Sequence, residues 1–417
     1  MLTPNDVFTP ASLPIGHTNV YASRGSKEKL FRTSLDRGMI PVVFGEYGVG
    51  KTSMARYELR KKDSEDLLVN IESVADKKIS DIFARILEKL GYSVQTKKIS
   101  ATNELKAKEH SGQANVSTGW VSGLIGSKRT NTSGSSQSVE EVLSITSPTE
   151  SRLIEVCEKA KIVLMLDELH QATPEFANDL AKFIKTYGNS NCKHFKIVLL
   201  GTSSDASRLV SSDPGIDRLL QEVHLKSMND QESNYVVKKG FKDLAINIEN
   251  SAVERLVRTC VGSPSILQYL SLEVAEASFA REPRVAKVED VNESLASYVE
   301  NKAARLLKLY LSAVETTGGT QYRKQILRAM AEAEEEYVTM DGLRTAVSKI
   351  VGRDIPSTAL SGSLRTLKEQ QYGAPLSDVQ RPDNTQRLTN YTTFRDPALK
   401  AFIRLQVLRE GEGDIEV

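Results

Sequence analysis

Long apolar runs are missing from this chain. Even IVLML, residues 162–166, is bounded at once by Lys161 and Asp167, and nothing approaches the ~20 apolar residues of a membrane-spanning helix. The first residues, MLTPNDVFTPASLPIGHTN, also lack the basic stretch and apolar core of a secretory leader. Cysteine is scarce: Cys157, Cys192 and Cys260 are odd in number and far apart, which excludes a disulfide framework and fits a reducing compartment. The five histidines are scattered, and Cys192 with His194 lacks two further neighbours at zinc-site spacing. Tryptophan occurs once, at Trp120. An excess of charge of one sign is absent as well, since 55 basic residues face 54 acidic ones for a net +1. Bulk charge therefore predicts neither a nucleic-acid partner nor its absence, and a local basic patch remains open. A cytoplasmic protein, away from membranes, is the expectation.

What is present is ordinary globular material. Of 417 residues, 40% are hydrophobic and 26% charged, enough for two or more cores at a length where a single core stops growing. The segment ASRGSKEKLFRTSLDRG reads as a helix ending at Gly38, followed by the β-branched run IPVVF at 40–44 and then by GEYGVGKTS. LLVNI at 67–71 is the next strand, and ISDIFARILEKLGY carries helical spacing through Ile82, Ile86 and Leu90. Strand and helix alternate, which indicates an α/β sheet. Between residues 92 and 148 the alternation fades into polar and glycine-rich sequence around Trp120, read as an insertion whose bland form is a solvent-facing loop. Regular structure resumes with a helix near 149–160, the strand KIVLMLDE, the helix PEFANDLAKFIKTYG, the strand KIVLLGTSS and a last short strand in QEVHLKSM. Helices follow from Asp230 to Phe279, like a small lid. The expected layout is a core at 1–229, a lid at 230–284 and a linker helix with a further domain at 285–417.

The glycine loop carries the chemistry. Residues 45–52, GEYGVGKT, match the Walker A pattern in full, and they sit between a strand and a helix as that motif requires. Gly45, Gly48 and Gly50 let backbone amides of the stretch from Glu46 through Tyr47 and Val49 to Ser53 approach phosphate oxygens. Lys51 would neutralise the β- and γ-phosphates of ATP, and Thr52 would bind Mg2+ through its hydroxyl. The strand IVLML delivers Asp167 and Glu168 to its carboxyl end, where open α/β sheets bind ligands. Asp167 is the expected magnesium partner and Glu168 the base that orients the attacking water; as plain structural acids they would cap the next helix instead. Thr202 or Ser203, after KIVLLG, could reach the γ-phosphate, or simply form a polar turn. Arg218, with Arg208 as a second candidate, could act on a neighbouring subunit's ATP, against the bland alternative of a surface ion pair.

Together RGSKEK, GEYGVGKT, LMLDE, LLGTS and the GSP of 262–264 resemble the AAA+ branch that contains the signal-transduction ATPases with numerous domains, the archaeal helix-turn-helix ATPases and the origin-recognition initiators. The resemblance covers about residues 20–280 and implies an α/β fold: a P-loop NTPase core with parallel sheet, a small helical lid and a C-terminal winged-helix domain. It also implies that Arg24 or its neighbours pack beside the adenine, and that Gly262 and Pro264 bring the lid over base and sugar. The chain departs from the origin-recognition pattern in reading GSPSIL, with no arginine soon after that glycine. That favours a switch, or a partner-dependent ATPase, over an autonomous motor.

Near the C-terminus, YRKQILRAMAEA, MDGLRTAVSKIVG and IPSTALSGSLRTLKEQQYG read as three helices, followed by a polar wing and by YTTFRDPALKAFIRL, which resembles the end of winged-helix domains in these ATPases. In the third helix Leu360, Leu364 and Leu367 share a face and leave Arg365 and Lys368 more exposed. With Arg381 and Arg387 of the wing they could contact duplex DNA, or the module could serve packing and oligomerisation alone. The leading expectation is an ATP-hydrolysing switch that forms homo-oligomers and couples nucleotide state to double-stranded DNA or a partner effector protein. A nucleotide-gated scaffold with little turnover, or an oligomeric remodelling motor using Trp120 in a pore loop, are the alternatives.

Overall fold

The structure is a computed structural model of the whole chain. It describes residues 2–10, 20–60, 67–71, 74, 77–91, 149–201, 213–315, 322–335, 337–382 and 388–411. Trp120 and the rest of the 92–148 stretch lie outside them. The chain divides into two compact units, one formed by residues 26–44 and 55–224 and the other by residues 1–25, 45–54 and 225–417.

The first unit is built on a five-stranded parallel sheet. Its strands are β1 (Ile40–Phe44), β2 (Leu67–Ile71), β3 (Ile162–Leu166), β4 (Lys196–Gly201) and β5 (Leu220–His224), in the order β2-β3-β4-β1-β5. Every residue of β1 and of β3 is buried. Unbroken apolar runs such as IVLML are the mark of parallel strands covered on both faces. β1 lies between β4 and β5, with Val42 opposite Leu199 and Glu222. β5 begins at Leu220 and ends at His224, short of the Met228 at which the predicted strand ended.

Helix Pro174–Gly188 starts at Pro174 behind Thr173, whose hydroxyl accepts the Phe176 amide, and buries Phe176, Leu180, Phe183, Ile184 and Tyr187 along one stripe. Phe183 sits between Phe83 and Phe195, with ring centroids 5.3 and 6.4 Å away. The turn leading into β4 is closed by one carboxylate. Glu158 accepts the amides of Lys193, His194 and Phe195 at 3.1, 2.8 and 2.7 Å, so Cys192 and His194 lie in a loop with a structural anchor of its own.

In the second unit, helices Asp230–Asp243, Asn250–Thr259, Pro264–Phe279 and Val288–Ser297 share a core that takes in Val236, Phe241, Leu256, Leu267, Leu270, Val274 and Val291. A two-residue parallel pairing, β6 (Asn247–Ile248) with β7 (Val285–Ala286), ties the far end of this bundle together. Helices Arg323–Glu332, Met340–Val351 and Ser357–Thr366 pack around a further core, with Leu360, Leu364 and Leu367 all buried as the periodicity predicts. The antiparallel pair β8 (Leu376–Pro382) and β9 (Leu388–Phe394) forms the wing, and helix Ala398–Gly411 closes against the first of the three helices. This is the winged-helix arrangement. Among the described residues no helix is long and apolar enough to cross a membrane.

Phe183 is fully buried between two rings. Phe183→Ala is expected to destabilise the protein by about 3–5 kcal/mol through lost burial and the cavity left behind. Denaturant unfolding checks this, and a loss under about 1 kcal/mol would mean that the site collapses without cost.

Candidate nucleotide site

Strand β1 ends at Phe44, and the chain passes directly into the glycine loop and then into helix Lys51–Arg60. Gly45 cannot be anything larger, because a Cβ there would run into the carbonyl oxygen of Leu225. Gly48 and Gly50 have φ of +77° and +92°, where L side chains are strained. At these three positions the loop is bare backbone, as an amide cradle for phosphate needs.

Three segments of the same unit surround it. The first is the start of helix Pro264–Phe279. A Cβ on Gly48 would meet the Ser265 and Ser263 hydroxyls at 3.5 and 3.8 Å, and one on Gly50 the Pro264 ring at 3.8 Å. The turn before that helix is held by Gly262, whose φ is +74° and whose carbonyl accepts the Met228 amide at 2.9 Å. Pro264 is therefore brought to the loop, with Gly262 behind it against Ser227 and Met228. The second is Arg24, whose guanidinium donates to the Val49 carbonyl at 3.4 Å and to that of Lys226, and pairs with Glu232 at 3.4 Å. With a side chain only 7% exposed, it acts as a strut beneath the loop. The third is helix Ala398–Gly411, which reading the sequence did not connect with the loop at all.

From that helix, Arg404 grips the Glu46 carboxylate with both terminal nitrogens at 2.8 and 2.9 Å, and Lys400 adds a third contact at 2.7 Å. The fork-to-fork arginine pairing is the strong form of this interaction. Arg404 also donates to the Ala331 carbonyl at 2.6 Å and Lys400 to that of Glu335 at 3.0 Å. Burial pushes the Glu46 carboxyl up, but the Arg404 hydrogen bonds and the charges of Lys400 and Arg404 outweigh it and hold the group below its ordinary value. The one available signal was that Lys400 and Arg404 stand four apart and share a helix face; their partner, more than 350 residues earlier, had none. Within the loop, the Lys51 ammonium donates to the carbonyls of Gly45 and Glu46, each at 2.9 Å. Tyr47 is exposed.

In the sheet unit, β3 ends at Leu166, and the two acids follow at the same carboxyl edge on which β1 ends, since the strands are parallel. Asp167 accepts the Glu168 amide on its carboxylate at 2.7 Å. Glu168 itself holds φ 56° and ψ 39°, a left-handed conformation that costs a non-glycine residue free energy and recurs at functional sites. Asp167 in this unit and Thr52 in the other each carry an oxygen donor of the hard type magnesium takes. Arg218 is exposed on the 3-10 turn Pro214–Leu219 ahead of β5. Thr202, Ser203 and Arg208 fall outside the described residues.

The winged-helix candidates separate. Arg365 is 83% exposed, with one long contact to Glu369 at 3.6 Å. Lys368 is only 22% exposed and paired with Asp378 of the wing at 2.6 Å, so it braces the wing against the helix instead of standing free as its spacing predicts. Arg381 is on β8 with its side chain outside the described part, and Arg387 is outside it altogether.

A five-stranded parallel sheet with buried central strands, a glycine loop after β1 and an acidic pair after β3 defines the class: a P-loop nucleoside-triphosphatase fold, with a helical lid and a winged-helix domain in the same chain. Residues 35–210 match the family model described as AAA domain, and this part of the chain is an AAA+ core. The chain matches no curated protein. Among solved structures it is similar to Cdc6p from Pyrobaculum aerophilum, with 14% identity, 98% of each chain covered and a TM-score of 0.46. It is also similar to the ORC2 protein of Aeropyrum pernix, with 14% identity, 95% of this chain and 97% of the other covered and a TM-score of 0.48. A Walker-type ATPase of Pyrococcus abyssi gives 16%, 93% and 97%, and 0.44. Similarity this remote carries no function with it.

Because the Glu46 carboxyl titrates lower folded than its ordinary 4.5, its stabilising contribution is complete above that pH and is lost as pH falls through the folded value. Glu46→Gln should therefore lower the denaturant midpoint at neutral pH, by a margin that holds down to about pH 4.5 and closes below it. A gap that widens on acidification would contradict the ion cluster.

Proposed function

We propose that this chain is an ATP-binding and ATP-hydrolysing switch that forms homo-oligomers and couples its nucleotide state to double-stranded DNA or to a partner protein. The observation that carries the reading is the loop after β1, in which Gly45 admits no side chain, opening directly into the helix that begins Lys51–Thr52. In this reading the amides of residues 46–53 cradle the phosphates and Lys51 moves from the loop carbonyls to the β- and γ-phosphates. Thr52 and Asp167 hold magnesium, which when bound neutralises charge on the transferring phosphoryl group. Glu168 orients the attacking water, with Thr202 sensing the γ-phosphate and Arg218 reaching the ATP of a neighbouring copy. Gly262 and Pro264 bring the lid helix to the nucleotide, and Arg24 supports the loop. Coupling requires the ligand to bind one arrangement of lid and core better than another.

Lys51→Ala should abolish ATP binding, while Glu168→Gln should keep binding and cut turnover by about 10²-fold or more. Steady-state hydrolysis together with nucleotide binding by fluorescence separates the two. Wild-type turnover in the Glu168 variant would remove that residue's role, and tight binding with no turnover in the unsubstituted protein would favour a nucleotide-gated scaffold.

Of the two winged-helix candidates whose side chains are described, Arg365 is the more exposed, and in this reading it meets a phosphate backbone. Arg365→Glu should weaken duplex binding across sequences and reduce the slope of log affinity against log salt by about one or more, with nucleotide affinity kept. An unchanged slope would move DNA contact to another surface.

A further inference from the structure

We propose that Lys400 and Arg404 of the C-terminal helix belong electrostatically to the nucleotide site, through their ion cluster with Glu46. They would set nucleotide affinity according to whether that helix is docked on the loop. The inference rests on the ATP-binding reading above and concerns the regulation of that same site.

Glu46 is the second residue of the glycine loop, and its own carbonyl is one of the two that receive the Lys51 ammonium. A lone carboxylate there would stand beside a ligand carrying three or four negative charges and repel it. Lys400 and Arg404 convert that −1 into a local +1 without touching the phosphates. All three side chains are largely shielded, at 18% exposure for Glu46, 6% for Lys400 and 20% for Arg404, so water screens the effect only in part. The cations are held from behind by the carbonyls of Ala331, in the last turn of the first helix of the winged-helix domain, and of Ala333 and Glu335 just after it. The cluster therefore ties the phosphate loop to that domain. Any ligand of the domain that draws helix Ala398–Gly411 off the loop would expose the Glu46 charge to the nucleotide and lower its affinity. By linkage, nucleotide would hold the helix down.

A charge series tests this. The trio carries +1 in the unsubstituted protein, −1 in K400M/R404M, 0 in E46Q/K400M/R404M and +2 in E46Q. ATP affinity should follow that order: K400M/R404M on the order of tenfold weaker than the unsubstituted protein, the triple variant partly restored, and E46Q the tightest even though it is the less stable fold. The spread should shrink from ATP to ADP to AMP as phosphate charge is removed. A merely structural cluster predicts instead that E46Q loses affinity along with stability and that the triple variant binds no better than the double. Either result would overturn the proposal. ATP should also slow amide exchange in residues 398–411 of the unsubstituted protein, and unchanged exchange there would show that nucleotide does not hold the helix. If the unsubstituted protein bound no nucleotide, the functional reading itself would fall; if it bound ATP but the charge order failed, only the present inference would.

Discussion

The molecule is organised by a polarity constraint. Strands β1 and β3 are buried along their whole length, and a strand buried on both faces has no room for a charged side chain short of its end. The polar groups of the apolar runs IPVVF and IVLML are therefore delivered where those runs stop. Both stop at the carboxyl edge of one parallel sheet, the glycine loop after the first and Asp167–Glu168 after the second. The close pass of Gly45 beneath Leu225 depends on the same ending, since the chain must turn sharply as soon as it leaves the sheet.

Around the loop the second unit works by many modest restraints. Arg24 struts the Val49 and Lys226 carbonyls, the Gly262 turn presents Pro264 and Ser265, and the Lys400–Arg404 pair fixes Glu46. A buried cluster of this kind is weak evidence for net stability, because desolvation offsets much of the attraction. Its specificity is another matter. Two cations four apart on one helix face, a carboxylate gripped in fork geometry and three backbone carbonyls behind them define one docking position for helix Ala398–Gly411 against the loop.

The sheet could be read from the chain because it rests on local rules. Strands β1, β2 and β3 lie where unbroken apolar and β-branched runs put them, and helices Pro174–Gly188 and Asp230–Asp243 begin behind Thr173 and Asn229, whose side chains cap them. Gly262 and Pro264 came from resemblance to a family; in the structure the Pro264 ring lies against Gly50, while Gly262 turns against Ser227 and Met228. Other readings depended on information that spacing does not hold. Lys368 has the helical position of an exposed residue, yet Asp378, ten residues on in the wing, takes it. The end of β5 at His224 is likewise a matter of how far β1 runs beside it, not of the apolar pattern in QEVHLKSM.

Residue order alone was enough for the class of fold and for the glycine loop, because a buried parallel strand, a glycine turn and a helix start are written within some twenty consecutive residues. Folding in three dimensions supplied the partners of that loop. Glu46 and Arg404 are 358 positions apart, each ordinary in its own stretch of sequence. Only chain packing that brings a C-terminal helix against the glycine turn makes one of them the counter-charge of the other.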